Sequence, residues 1–142
     1  MEKSELKDKI IKLISKTQLA SLATTENGKP WVRYMIMSGE SDLTLYTTTF
    51  SSARKVQQIK ENSNVNVIIG GDQENFKNPH INVRATAQIA ADLETKKKFW
   101  DDHLKRFFSG PEDPNFSVIK ISPQVIEYTS GDALKPEIYT VI

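Results

Sequence analysis

Residues 19–37 read LASLATTENGKPWVRYMIM. Two apolar-rich stretches, Leu19–Thr25 and Trp31–Met37, flank Asn27-Gly28, and Asn and Gly tolerate the positive φ that a tight hairpin turn demands. Pro30 precedes the second stretch, where a missing N–H costs a strand least. The pattern predicts an antiparallel hairpin. Trp31–Met37 is apolar on both alternating faces apart from Arg33 and the Tyr34 hydroxyl, so it is expected to be central and packed on both sides. A second turn at Ser38–Asp42 leads into Leu43–Thr48, which completes a three-strand meander.

Upstream, Leu6, Ile10, Leu13 and Ile14 fall at helical spacing and predict an amphipathic helix over 4–17. Downstream, a helix over 52–62 turns Val56 and Ile59 inward, and Val65–Ile69 reads as a short buried strand. Gly70–Pro79 is a polar loop. In Ile81–Ala91 the residues Ile81, Val83, Ala85, Ala87 and Ile89 share one face and Asn82, Arg84, Thr86 and Gln88 the other, the two-residue period of a long antiparallel strand. Asp92 is placed to cap a third helix with an apolar face of Leu93, Trp100, Leu104, Phe107 and Phe108. Gly110-Pro111 and Asp113-Pro114 end that helix, and Phe116–Tyr128 forms a last strand bent at Ser122-Pro123. Helix, three strands, helix, two strands, helix, strand: the expected fold is mainly β, a small antiparallel barrel with flanking helices in one domain spanning 1–142.

The chain of 142 residues carries 19 Lys and Arg against 18 Asp and Glu, a formal charge of +1. That balance argues against a protein that coats nucleic acid, and no extended cationic stripe with interleaved aromatics is present. With no cysteine, disulfides, thiolate catalysis and cysteine-ligated metals are excluded. The two histidines, His80 and His103, sit in different predicted elements without a ligand pattern, so no metal site is expected. Neither a secretory h-region nor a membrane-length apolar run is visible; a soluble cytoplasmic protein is the expectation.

Chemistry concentrates in Leu43–Ile59, LTLYTTTFSSARKVQQI, where a strand runs through hydroxyl residues into an Arg-Lys pair at a helix start. Thr48, Thr49, Ser51 and Ser52 offer hydroxyls, the first helical turn offers N–H groups, and Arg54 and Lys55 supply charge. Two readings fit: an anion site, or an ordinary capped surface helix. Arg33 favours the first, because a cation within an apolar strand needs an acceptor or an exit to solvent. Trp31 shares its face and can either flank a planar cofactor or fill volume.

Three blocks carry a resemblance: LASLATTENGKPWVRYM at 19–35, LYTTTFSSARKVQQIKENSNVNVII at 45–69, and FFSGPEDPNFSVIKISPQVIEY at 107–128. In that order they resemble the pyridoxamine 5'-phosphate oxidase-like split-barrel family, and the last block resembles its small general-stress-protein branch. The resemblance implies an antiparallel, Greek-key-like split barrel that binds flavin mononucleotide (FMN), commonly as a homodimer with the cofactor at the subunit interface. Carried onto this chain, it implies that Arg33 and Tyr46–Thr49 (Tyr46, Thr47, Thr48, Thr49) face the cofactor. Ser52, Arg54 and Lys55 would hold its phosphate, Trp31 and Met35 would wall it, and Trp100 would close it from a partner. Ala53 stands where the family's compact Ser-Arg-Lys pattern has a serine, Arg84 replaces a small residue, and Thr129 stands where a tryptophan is common. The late Arg and His pair of the vitamin oxidase has no counterpart, so that activity is not transferred.

The expected function is therefore an FMN-binding flavoprotein with oxidoreductase chemistry on a small molecule. Its rivals are a non-enzymatic flavin-binding or stress-related protein, a deazaflavin- or haem-binding barrel, and a structural dimer without a ligand. No catalytic side chain is assigned, since a flavin carries its own redox chemistry.

Overall fold

The computed structural model describes every residue except Gln73, Phe76, Asp132, Leu134 and Ile142. Its elements are α1 (Lys3–Ile14), β1 (Gln18–Glu26), β2 (Lys29–Gly39), β3 (Leu45–Phe50), α2 (Arg54–Glu61), β4 (Asn64–Gly70), β5 (His80–Ala90), α3 (Leu93–Lys98), a 3₁₀ turn (Asp102–Arg106), β6 (Phe116–Thr129) and β7 (Glu137–Thr140). The hairpin predicted from residues 19–37 forms in register, Glu26 opposite Lys29, with Asn27 and Gly28 at φ 53° and 76°.

The strands pair in the order β3-β2-β1-β4-β5-β6, and β3 also pairs with β6, which closes a six-stranded antiparallel barrel. Strand β4 returns to lie beside β1, the spatial order 4-1-2-3 of a Greek key. Alternate side chains of the barrel strands fill the interior: Leu22, Val67, Ile81, Val83, Ile119 and Ile121 are completely buried there. Helix α1 seats Leu6, Ile10 and Ile14 on this core. Helix α2 turns Val56, Gln58 and Ile59 inward and packs on β1 and β5.

Strand β6 serves two neighbours in turn. Its first half pairs with β3 as far as Ile121, and its second half pairs with β7 from Val125. At the changeover Arg84 faces Val125 while Ala85 faces Pro123, leaving Gln124 as a bulge whose carbonyl accepts the Val141 N–H at 2.9 Å. The bend expected at Ser122-Pro123 is this bulge.

Three expectations need correction. The apolar spacing over 93–108 does not make one helix: α3 ends at Lys98, and Asp101 opens a separate 3₁₀ turn by accepting the His103 N–H at 3.2 Å. Strand β2 is not packed on both sides, because Val32, Tyr34 and Ile36 are 69%, 75% and 57% exposed. Strand β7 was not expected. Within the loop expected over 70–79, Gln73 and Phe76 lie outside the described residues.

Candidate functional site

Strands β2 and β3 pair only at Met37–Thr47, Ser38–Tyr46 and Gly39–Leu45, then part. The Thr47 hydroxyl donates to the Ile36 carbonyl at 2.7 Å, so the Ile36 backbone faces β3. Strand alternation sends the backbone groups of Tyr34 and Val32 to the same side, where β3 no longer pairs with them. A length of strand edge is thus left open beside a cleft of about 400 Å³. Met35, Tyr46, Thr47 and Thr48 line this cleft, and Phe99 and His103 add a wall from the segment after β5. Tyr46 stacks on Phe99 with ring centroids 4.2 Å apart, which fixes that wall to the barrel.

Three cations gather near the split. Arg33 occupies the inward parity of β2 opposite Leu22. Its Nη1 donates to the Leu22 carbonyl at 3.1 Å, to Thr24 Oγ1 at 2.8 Å and to the Trp31 carbonyl at 3.4 Å, and its Nη2 donates to Gln58 Oε1 at 3.1 Å. Every one of these acceptors is neutral. Lys55 donates from Nζ to Thr49 Oγ1 at 3.0 Å, again a neutral partner. The Arg54 guanidinium lies 4.9 Å over the ring of Trp31.

The electrostatics follow from this crowding. Burial first, then the neighbouring Arg54 charge, lowers the pKa of Arg33. Burial first, then the Arg33 charge, pushes the Lys55 ammonium below its ordinary value. Among the described residues no carboxylate pairs with Arg33, Arg54 or Lys55; the ion pairs formed are elsewhere, such as Lys98 with Glu40 and Lys105 with Asp102. Positive charge that is partly desolvated, self-repelling and uncompensated favours an incoming anion.

Helix α2 begins at Arg54 with Ala53 as its N-cap, and no side chain caps it. Its leading N–H groups are therefore not taken by a serine. Ser51 is committed elsewhere: its hydroxyl donates to the Pro114 carbonyl at 2.8 Å and lies 2.6 Å from the Ser117 hydroxyl. Ser52 is exposed, and its hydroxyl makes no hydrogen bond among the described residues.

The structure thus brings Trp31, Arg33, Thr49, Arg54 and Lys55 into one cluster, and Met35, Tyr46, Thr47 and Thr48 onto the cleft. Trp100 joins neither within the chain, packing edge-on to Phe116 at 5.3 Å. Arg84 lies exposed on the barrel's outer face, and Thr129 pairs with His80 at the end of β6. Sequence reasoning missed Thr24 and Gln58, the two buried side chains that engage Arg33, and Phe99, which only the broken third helix brings to Tyr46.

Known proteins share this architecture. The family model described as pyridoxamine 5'-phosphate oxidase matches residues 6–130. The chain is 33% identical over 136 residues to general stress protein 26 of Bacillus subtilis (strain 168), covering 96% of both chains. It superposes on the crystal structure of general stress protein 26 from Bacillus anthracis str. Sterne with a TM-score of 0.81 and 35% identity, covering 96% of this chain and 98% of that one. A haem binding protein from Mycobacterium smegmatis shares the fold alone, with a TM-score of 0.73 at 14% identity over 99% of this chain and 59% of that one. The matched span takes in β1 through β6, every strand of the closed barrel, together with the cation cluster and the open β2–β3 edge. The chain belongs to the pyridoxamine 5'-phosphate oxidase family, in the small branch typified by general stress protein 26.

Proposed function

We propose that this protein binds FMN in the β2–β3 split and acts as an oxidoreductase on a small molecule. The observation that carries the reading is the group of three cations, Arg33, Arg54 and Lys55, which among the described residues meet only neutral partners. A phosphate meets that need: Arg54 offers a planar donor fork, Lys55 a mobile charge, and Ser52 a free hydroxyl beside the uncapped start of α2. The cleft lies along the open β2 edge, its lining residue Thr48 next in the chain to Thr49 of the cation cluster, and Met35 and Tyr46 give it apolar walls. Flavin supplies hydride or electron transfer when bound. The chain's part is to hold the phosphate, offer backbone hydrogen bonds from Val32 and Tyr34, and shield the ring from water.

The same reading includes a second copy of the chain. On the outer face, Leu19 lies opposite Ile36, Ser21 lies between Tyr34 and Ile68, and Ala23 lies opposite Val32. Leu19, Val32, Tyr34, Ile36 and Ile68 are all exposed, a contiguous apolar stripe of the kind that marks an interface. It borders the open edge of the split, so a partner seated there also walls the cofactor cleft.

An absorption spectrum of the purified protein, followed by FMN titration, tests the reading. Stoichiometric FMN binding is expected, weakened about a hundredfold by Arg54→Ala together with Lys55→Ala, which remove two charge-assisted contacts. A strong Soret band would assign the cleft to haem instead. Folded protein that takes up no FMN, or the double variant binding as tightly as the native chain, would refute it.

A further inference from the structure

Gln58 is 1% exposed, and its amide is used on one side only. Its Oε1 accepts two hydrogen bonds, from Thr24 Oγ1 at 2.5 Å and from Arg33 Nη2 at 3.1 Å, while its Nε2 is buried with no acceptor among the described residues. An orphaned buried donor forfeits the hydrogen bond it would make to water, so native structures rarely keep one without a compensating use. Turning the amide over offers no relief: it would set an NH₂ group against a guanidinium and remove the acceptor that Thr24 uses. Arg33 fixes the amide, and the amide in turn fixes Arg33.

Thr24 completes the arrangement. It is 1% exposed, and its hydroxyl donates to Gln58 while accepting from Arg33 Nη1 at 2.8 Å. The three side chains form a closed triangle linking β1, β2 and α2. Two of its members come from the barrel wall and one from the helix that carries Arg54 and Lys55.

We propose that Gln58 and Thr24 are positioning residues that aim Arg33 at the phosphate of the bound cofactor while leaving its charge intact. A carboxylate at either position would hold the guanidinium as well, but would cancel the charge that attracts the anion. A neutral amide and a hydroxyl orient without neutralising. The burial of both residues prevents either from contacting the cofactor itself, so they act through Arg33. This inference rests on the FMN reading, and its test separates the two.

The experiment compares FMN with riboflavin, which has the same ring and no phosphate. In the native protein FMN is expected to bind more tightly than riboflavin. Gln58→Leu, and independently Thr24→Val, should weaken FMN about tenfold and leave riboflavin affinity unchanged, because only the phosphate loses a partner. Gln58→Glu should produce the same selective loss with the fold retained. In each variant Arg33→Ala should add little further loss, since the interaction is already broken. A merely structural role would weaken both flavins together, and either that result or unchanged FMN affinity would overturn the proposal.

A readout without ligand stands beside this one. Nitrogen-resolved NMR of the free protein should show slowly exchanging Arg33 Nη–H signals that disappear in Gln58→Leu and in Thr24→Val. Their persistence in both variants sinks the positioning role. If the native protein binds no FMN while these signals are present and variant-sensitive, the FMN reading fails and the orienting of Arg33 stands.

Discussion

At the scale of single residues, Lys55 is where charge and binding are most directly linked. Its ammonium is held below the ordinary lysine value of 10.5 by burial and by Arg33. In the window between that lowered pKa and 10.5 the unfolded chain binds more protons, so Lys55's contribution to the ligand-free fold becomes more favourable as pH rises. Anion binding has the opposite sign: a phosphate favours the ammonium, binding takes up a proton, and affinity falls as pH rises into the same window. FMN affinity is therefore expected to decline at alkaline pH, and Lys55→Met should flatten that decline while weakening binding near neutrality. Titrations of the two proteins across the window check this, and their difference cancels changes in the flavin itself; parallel profiles would exclude Lys55 from the site. Lys55, Arg33 and Arg54 were legible in the sequence because cations in an apolar strand and at a hydroxyl-rich helix start call for partners. Gln58 was not. Gln57 and Gln58 are alike in type, and only the packing of α2 shows which one turns inward.

Among the elements, α1 depends on a glycine in β2. A Cβ built on Gly39 would lie 2.5 Å from Ile14 Cδ1 and 2.8 Å from Ile14 Cβ, inside the helix's own side chain. Gly39→Ala should displace α1 and cost about 1–3 kcal/mol, the range for overpacking a filled core. Urea denaturation reads the loss, and Ile14→Val should cost less in the Gly39→Ala background than in the native one. Equal costs in the two backgrounds would show that the helix accommodates the methyl without strain. The elements themselves divide by the strength of their signals. The hairpin, α2 and β5 were readable because turn chemistry or an unbroken period defines them. The third helix was misjudged because Leu93, Trp100, Leu104 and Phe108 keep helical spacing across Asp101, whose side chain caps a new turn. Strand β7 is four residues long and owes its place to the half of β6 that β3 leaves unpaired, a tertiary cause that no local pattern reveals.

For the whole molecule, the misjudged face of β2 is the informative one. Its alternation-free apolar run reads as a strand packed on both sides, yet Val32, Tyr34 and Ile36 stand in solvent in the single chain. A residue pattern cannot say whether the second layer belongs to the same chain or to another, because burial by either selects the same side chains. A second copy seated on this face would resolve the mismatch between pattern and exposure and would wall the split at the same time. The native protein is therefore expected to sediment at twice the chain mass. Leu19→Glu combined with Ile68→Glu should shift it to the mass of one chain, because both side chains lie on the outer face and outside the cleft lining. Both positions being exposed, the barrel should keep its circular dichroism spectrum and most of its stability. FMN affinity should fall with the loss of the dimer, although every phosphate ligand is still present. A native protein that sediments as a monomer, or a double variant that stays dimeric, would put the partner elsewhere. A monomeric variant with undiminished FMN affinity would place the whole cofactor site within one chain.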